Sequence, residues 1–193
     1  MHTTPSSWLR RALPALLVSL SLLVAAPAAQ AAEHYGVTLP DTAKIGDKSL
    51  VLNGAGLRSV LFIKVYVIGL WTEKKASTTD AVLSGPWTAQ MHMLRALEAE
   101  KVTDAMQEGF ERNSGSTIGT LQARLDTLKG MFPKVAKGDV VELTWNPARG
   151  TVIKVNGAEK GVIEGKDFAD ALLKVWLGPD PVQDDMKEGM LGK

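Results

Sequence analysis

The chain has 193 residues and carries 22 lysines and arginines against 21 aspartates and glutamates, so it is almost neutral. Nucleic acids and anionic membranes bind clustered cations, and the balanced charge predicts neither of these partners. The chain contains no cysteine, which excludes disulfides, thiolate metal sites and cysteine nucleophiles.

The first 31 residues have the pattern of a cleaved signal peptide. Arg10 and Arg11 precede an apolar stretch over residues 12–26, and residues 29–31 (Ala-Gln-Ala) form a small-x-small cleavage site. The apolar stretch is short for a membrane span. We therefore predict cleavage after Ala31 and export to the periplasm or the cell exterior. A single domain over residues 32–193, without a membrane span, would remain.

The first predicted elements of that domain are strands. Residues 37–39 and 49–52 suit short strands, and residues 53–56 (Asn-Gly-Ala-Gly) have the composition of a turn. Arg58 follows this turn at the head of a β-branched and aromatic stretch over residues 60–71, which suits one extended strand or a tight hairpin. A guanidinium stays charged at physiological pH, so an inward-facing Arg58 needs an anionic or strongly polar partner.

Helices and strands alternate in the middle of the chain. Residues 78–83 suit a short helix, and residues 87–97 alternate loosely as a strand does. Apolar residues then recur at helical spacing over residues 102–110, and a second helix is predicted from Ser116 to just before Pro133.

The last third of the chain predicts a strand meander and a closing helix. Residues 139–145 and 151–155 form a predicted hairpin, and a third strand runs to near Glu164. Residues 166–177 and 183–191 suit helices. The order of elements predicts an α+β fold, in which helices pack on one face of an antiparallel sheet.

Histidines are too few for the common catalytic and metal sites. His2 lies in the predicted signal peptide, His34 lies close to the new terminus, and His92 stands alone in a predicted strand. A zinc site requires several ligands that converge on one ion, and a catalytic triad requires a histidine as its base beside a nucleophile. We predict no catalytic residue, no metal and no cofactor.

Three segments resemble the chalcone isomerase family. Residues 53–58 (NGAGLR) and 64–71 (KVYVIGLW) are similar to the family's small-residue turn, its arginine and its K-V-Y/F strand, and residues 168–178 (FADALLKVWLG) are similar to its closing helix. The similarity covers roughly residues 35–192 and is greatest to the bacterial, exported branch. It implies an open-faced sandwich with a ligand cleft between sheet and helices.

The resemblance also bears on activity. Arg58 matches the arginine that stabilises negative charge in the isomerases. Their other polar positions fall on Tyr66, Glu98, Lys101, Ala105 and Val175. Only the lysine is retained, and we assign it no role because it suits an exposed position in the first turn of a helix. The resemblance therefore leaves enzyme activity uncertain and favours its absence.

The non-catalytic, fatty-acid-binding branch of the family is similar in pairing the arginine with a tyrosine, as Arg58 and Tyr66 do here. This resemblance implies a small amphipathic or carboxylate ligand. Two alternatives remain: an isomerase for an unidentified small molecule, or a partner protein with a vestigial cleft. Arg58 itself could face a ligand or form an internal ion pair. Its candidate acidic partners are Glu98, Glu100 and Asp104.

Overall fold

The computed structural model describes residues 31–193, so the predicted signal peptide lies outside the described residues except for Ala31. The strands are β1 (Ala31–His34), β2 (Val37–Pro40), β3 (Thr42–Ile45), β4 (Lys48–Val60), β5 (Ile63–Thr72), β6 (Trp87–Met93), β7 (Val140–Asn146), β8 (Gly150–Val155) and β9 (Ala158–Ile163). The helices are α1 (Thr79–Leu83), α2 (Ala99–Ser114), α3 (Ile118–Met131), α4 (Lys166–Leu177) and α5 (Asp184–Met190). Within residues 31–193, none of the helices has the length and apolar character needed to cross a bilayer.

Strands β3 to β9 form one antiparallel sheet of seven strands, in which each strand neighbours the next one along the chain. The β1–β2 hairpin forms a separate two-stranded sheet. Antiparallel neighbours need only short connections, and the helices are inserted between β5 and β6, between β6 and β7, and after β9.

The two faces of the large sheet are covered differently. Helices α2, α3 and α4 pack on one face, where Phe110 and Leu125 are completely buried in the larger core. A smaller core on the other face includes Leu39 from β2 and Trp71 from β5. Trp71 Nε1 also donates a hydrogen bond of 2.9 Å to the carbonyl of Pro40. The predicted α+β fold, with helices on one face of an antiparallel sheet, is confirmed.

The predicted turn at residues 53–56 is wrong, because β4 continues through it. A bulge falls between Leu52 and Gly54, and the Asn53 side chain accepts a bond of 2.7 Å from the Ala76 backbone and donates one of 2.8 Å to the Met190 carbonyl. Gly54 lies against the backbone of α5 so closely that a Cβ would overlap the carbonyl of Gly189. The glycines therefore permit close packing of α5 on β4 rather than a turn.

The chain reverses instead at Leu61 and Phe62, between β4 and β5. Both residues have positive φ, 47° and 67°, and Val60 and Ile63 pair across the turn. Two residues with positive φ between paired strands form a type I′ turn, which favours Asn and Gly. Because this turn carries neither residue, the sequence pattern did not locate it. Residues 60–71, predicted as one extended strand or a tight hairpin, contain the turn at 61–62 and then the strand β5 from Ile63.

Strand β6 ends at Met93, four residues before the predicted end at Leu97. The carbonyl of Met93 accepts a hydrogen bond of 2.8 Å from Gly138, and the chain then leaves the sheet. Leu97 forms an isolated antiparallel bridge with Val135, with backbone bonds of 2.9 and 3.0 Å. This bridge borders the space between the sheet and α2.

Candidate ligand-binding site

A cavity of about 340 Å³ lies between the sheet and the helical layer. It opens at the end of the sheet where β4 turns into β5, since both Val60 and Ile63 line it. Apolar side chains from several elements form most of its wall. Among them are Met91, Met93, Val102, Met106, Val141 and Val175. Such a volume and lining are typical of small-molecule sites, which range over roughly 300–1,000 Å³.

Arg58 and Tyr66 lie directly opposite each other on β4 and β5, and both line this cavity. Side chains of directly opposite residues in an antiparallel pair emerge on the same face of the sheet. The two predicted ligand-binding residues are therefore brought together. We predicted Arg58 at the head of a strand, and this position is wrong. Arg58 lies close to the end of β4.

The Arg58 guanidinium is half-buried and contacts neutral groups. Its Nη1 donates hydrogen bonds of 2.9 Å to the carbonyl of Ser59 and 3.1 Å to Oε1 of Gln183. Arg58 forms no ion pair with any carboxylate of residues 31–193. Glu98, one candidate partner, instead pairs with Lys134 at 2.6 Å. The internal ion-pair alternative is therefore not seen in the described part of the chain.

Gln183, the residue before α5, holds the end of β4 in place. Its Oε1 also accepts a hydrogen bond of 3.0 Å from the backbone N–H of Ser59, and its Nε2 donates to the Leu57 carbonyl at 3.2 Å. Asp185 accepts a second bond from the same Nε2 at 2.6 Å. Sequence reasoning missed Gln183, since only the docking of α5 brings it 125 residues back to Arg58.

The Tyr66 hydroxyl accepts a hydrogen bond of 2.9 Å from Nε1 of Trp176, which also lines the cavity. Burial raises the pKa of Tyr66 above its ordinary value, and the Trp176 hydrogen bond and the positive charge of Arg58 lower it only in part. The hydroxyl is therefore neutral at physiological pH. Its own proton has no acceptor among residues 31–193, so Tyr66 can donate a hydrogen bond into the cavity.

Two further cations, Arg95 and Lys101, line the cavity, and no acidic residue of the described chain does. Lys101 is exposed in the first turn of α2, as predicted, yet it also borders this space. Sequence reasoning did not single out Arg95. It follows β6 in a stretch without a recognisable motif. Three cations without a carboxylate favour an anionic ligand.

The apolar wall continues where the isomerases are polar. Ala105 and Val175 both line the cavity, so neither position supplies a hydroxyl or an amide. His92 does not line it. Because β6 side chains alternate between faces, His92 points away from the face that carries Met91 and Met93. Its buried Nε2 has no hydrogen-bond partner among residues 31–193, and burial lowers the pKa of the imidazole. No cluster of potential metal ligands occurs in residues 31–193.

The fold and the cavity together define a class: α+β sandwiches whose antiparallel sheet and helical layer enclose a ligand cleft. Residues 31–192 match the family model described as chalcone isomerase-like, and the chain belongs to that family. The resemblance expected from the sequence is thereby confirmed. A search of curated proteins gave no match.

A solved structure has a similar fold. It is that of the Arabidopsis thaliana fatty-acid binding protein AtFAP1, with a TM-score of 0.66 and 18% sequence identity. The alignment covers 84% of this chain and 96% of the plant chain. At this identity the likeness establishes the common fold.

Proposed function

We propose that the protein is a non-catalytic binder of a fatty acid or another small amphipathic anion, whose carboxylate is bound by Arg58 and Tyr66. The observation that carries this proposal is a half-buried arginine that lines an apolar cavity and forms no ion pair with a carboxylate of residues 31–193. The similar fold of a plant fatty-acid binding protein supports it. We further propose that the protein acts after export, as a single domain over residues 32–193.

The ligand's chain and headgroup contribute differently. Each buried methylene supplies about 0.8 kcal/mol, and a hydrogen bond to a charged group supplies roughly 1.5–3 kcal/mol. Several methylenes therefore outweigh the headgroup, so the apolar wall provides most of the affinity. Arg58 and Tyr66 determine the orientation and the preference for a carboxylate. A cavity near the lower end of the usual volume range favours an acyl chain of short or medium length.

Calorimetric titration of delipidated protein with dodecanoate tests this proposal. We expect Arg58→Gln to weaken binding about ten- to a hundred-fold, because the charged donor is lost. Tyr66→Phe removes one donor to a charged group and weakens binding by about ten-fold. Dodecanol, which has the chain without the carboxylate, should bind the wild type and Arg58→Gln equally.

Arg149→Gln is the matched control, because Arg149 pairs with Glu159 at 2.8 Å at the opposite end of the sheet. It should bind dodecanoate as the wild type does. Equal affinity of wild type and Arg58→Gln for dodecanoate would contradict the role of Arg58. Turnover of a chalcone that Arg58→Gln abolishes would contradict the non-catalytic assignment and favour the isomerase alternative.

A further inference from the structure

The tip of the β4–β5 hairpin exposes a continuous apolar surface. Leu61 is 85% exposed and Phe62 is fully exposed, and the flanking Val60 and Ile63 are about half exposed. Large apolar side chains at a loop tip lose contact with water only if something outside the domain covers them. Within residues 31–193, the only other large hydrophobic residue with comparable exposure is Tyr35, in the β1–β2 turn.

The turn itself does not require these residues. Leu61 and Phe62 occupy the left-handed backbone region, which bulky side chains adopt at a free-energy penalty. The β8–β9 turn of the same protein shows the usual solution, with Asn156 and Gly157 at φ 52° and 78°. Leu61 also lines the mouth of the cavity, but its 85% exposure and the complete exposure of Phe62 leave most of both side chains without a packing partner among residues 31–193. A function of the exposed side chains accounts for their presence.

Positive charge surrounds this tip although the whole chain is almost neutral. Lys64 is exposed on the hairpin itself, and Arg58, Arg95 and Lys101 line the cavity beside it. The near-zero net charge, from which we expected no anionic membrane partner, does not reveal how these four cations are placed. Acidic residues also lie at this end of the protein, although none lines the cavity: Glu98, Glu100 and Asp104 at the beginning of α2, Asp139 before β7, and Asp184 and Asp185 at the beginning of α5.

We propose that Leu61 and Phe62 insert into the interfacial region of an anionic lipid bilayer and dock the cavity mouth against it. Exposed aromatic and aliphatic side chains flanked by cations are the combination that binds such a surface. A protein partner fits less well, because a standard interface buries about 800 Å² on each side and a two-residue tip offers a narrow projection. One consequence, which rests on the proposed function, is that an acyl chain can pass between bilayer and cavity without entering water.

Vesicle co-sedimentation of residues 32–193, the chain that the proposed cleavage leaves, tests the docking in the absence of fatty acid. The wild type should bind vesicles of phosphatidylcholine and phosphatidylglycerol, and bind less to phosphatidylcholine alone or at high salt. Replacing the tip by the turn pair of β8–β9, Leu61→Asn with Phe62→Gly, should reduce partitioning by about ten-fold or more. This replacement suits the turn, so unfolding cannot explain the loss. Tyr35→Ser is the control and should bind as the wild type does.

A fluorescent label shows directly whether the tip enters the bilayer. The chain has no cysteine, so Phe62→Cys creates a unique site for an environment-sensitive dye. The dye should shift to the blue on anionic vesicles and be quenched by spin-labelled acyl chains. Dye at Ala148→Cys, in the β7–β8 turn at the opposite end of the sheet, should remain in water.

Any one of three results would overturn the docking. The wild type does not bind anionic vesicles, the Asn-Gly variant binds them as well as the wild type does, or the dye at position 62 stays in water. Because the vesicles contain no fatty acid and the dodecanoate titration contains no vesicles, either proposal can fail while the other holds.

Discussion

Arg58 uses one terminal nitrogen for positioning and keeps the rest of its guanidinium available. Nη1 contacts Ser59 and Gln183, whereas Nη2 and Nε have no hydrogen-bond partner among residues 31–193. A guanidinium edge with two free N–H groups can bind a carboxylate bidentately, which gives both strength and a fixed orientation. The neutral amide of Gln183 orients Arg58 without neutralising it, so its charge remains available to a ligand.

Because of Tyr66, the free energy of unfolding should decrease as the pH becomes alkaline. Its pKa is raised in the folded state, chiefly by burial, so folding favours the neutral hydroxyl. The corresponding stabilisation is complete below the unfolded-state pKa of 10.0 and is lost as the pH rises through the folded-state pKa. Wild-type protein should therefore lose more stability than Tyr66→Phe between about pH 9 and about pH 11.

Urea unfolding at those two pH values measures the difference between the two proteins. Tyr35→Phe serves as the control, since the chain has only two tyrosines and Tyr35 is exposed. It should follow the wild type. If Tyr66→Phe and wild type lose equal stability, ionisation of Tyr66 is not coupled to folding.

At the scale of elements, the contact between β4 and α5 links the fold to the site. A Cβ on Gly56 would overlap the side chain and backbone of Met186, which is completely buried. Gly56→Ala should therefore displace α5 and destabilise the protein by about 1–3 kcal/mol. Because Gln183 precedes α5, the same substitution should weaken dodecanoate binding in the calorimetric titration. Urea unfolding measures the loss of stability.

Gly130→Ala is the matched control for this substitution. Gly130 lies in α3, is exposed, and has no atom within 4 Å of a Cβ placed there. Alanine favours helix, so this variant should be as stable as the wild type or more stable by up to about 1 kcal/mol. Equal stability of Gly56→Ala and wild type would show that α5 accommodates a methyl group and does not depend on close contact with β4.

Elements with a complete local signal were predictable from the sequence. Helix α4 spans residues 166–177 as expected, because its apolar face repeats at helical spacing before Gly178 and Pro179. The turn predicted at residues 53–56 was wrong because the glycines there allow close contact with α5. That helix lies more than a hundred residues later, and local composition cannot reveal such a contact. Arg58 and Tyr66 followed from family resemblance, whereas Gln183 and Arg95 reach the site only through tertiary structure.

The protein has two hydrophobic cores, and the larger one borders an apolar cavity. The smaller core around Leu39 and Trp71 lies on one face of the sheet, and the larger core borders the 340 Å³ cavity beneath α2 and α4. Protein interiors are normally close-packed, so atoms around an empty apolar space lack part of their contacts. A ligand that supplies these contacts should stabilise the whole native state by mass action.

Thermal unfolding with and without dodecanoate measures this linkage. At a ligand concentration one hundred times Kd the gain is about 2.7 kcal/mol, which should raise Tm by about 5–11 °C for a chain of this size. Ala105 is exposed on α2 and lines the edge of the cavity, so Ala105→Phe adds an aromatic ring at that edge. This variant should show a smaller increase in Tm with dodecanoate than the wild type, because the ring narrows the cavity at that edge.

Ala123→Phe is the matched control, because Ala123 is exposed on α3 and does not line the cavity. It should keep the full ligand-dependent increase in Tm. The comparison distinguishes cavity occupation from non-specific adsorption of the fatty acid, which both phenylalanine variants would share. If Ala105→Phe and Ala123→Phe respond equally to dodecanoate, the acyl chain does not contact the edge of the cavity that Ala105 lines.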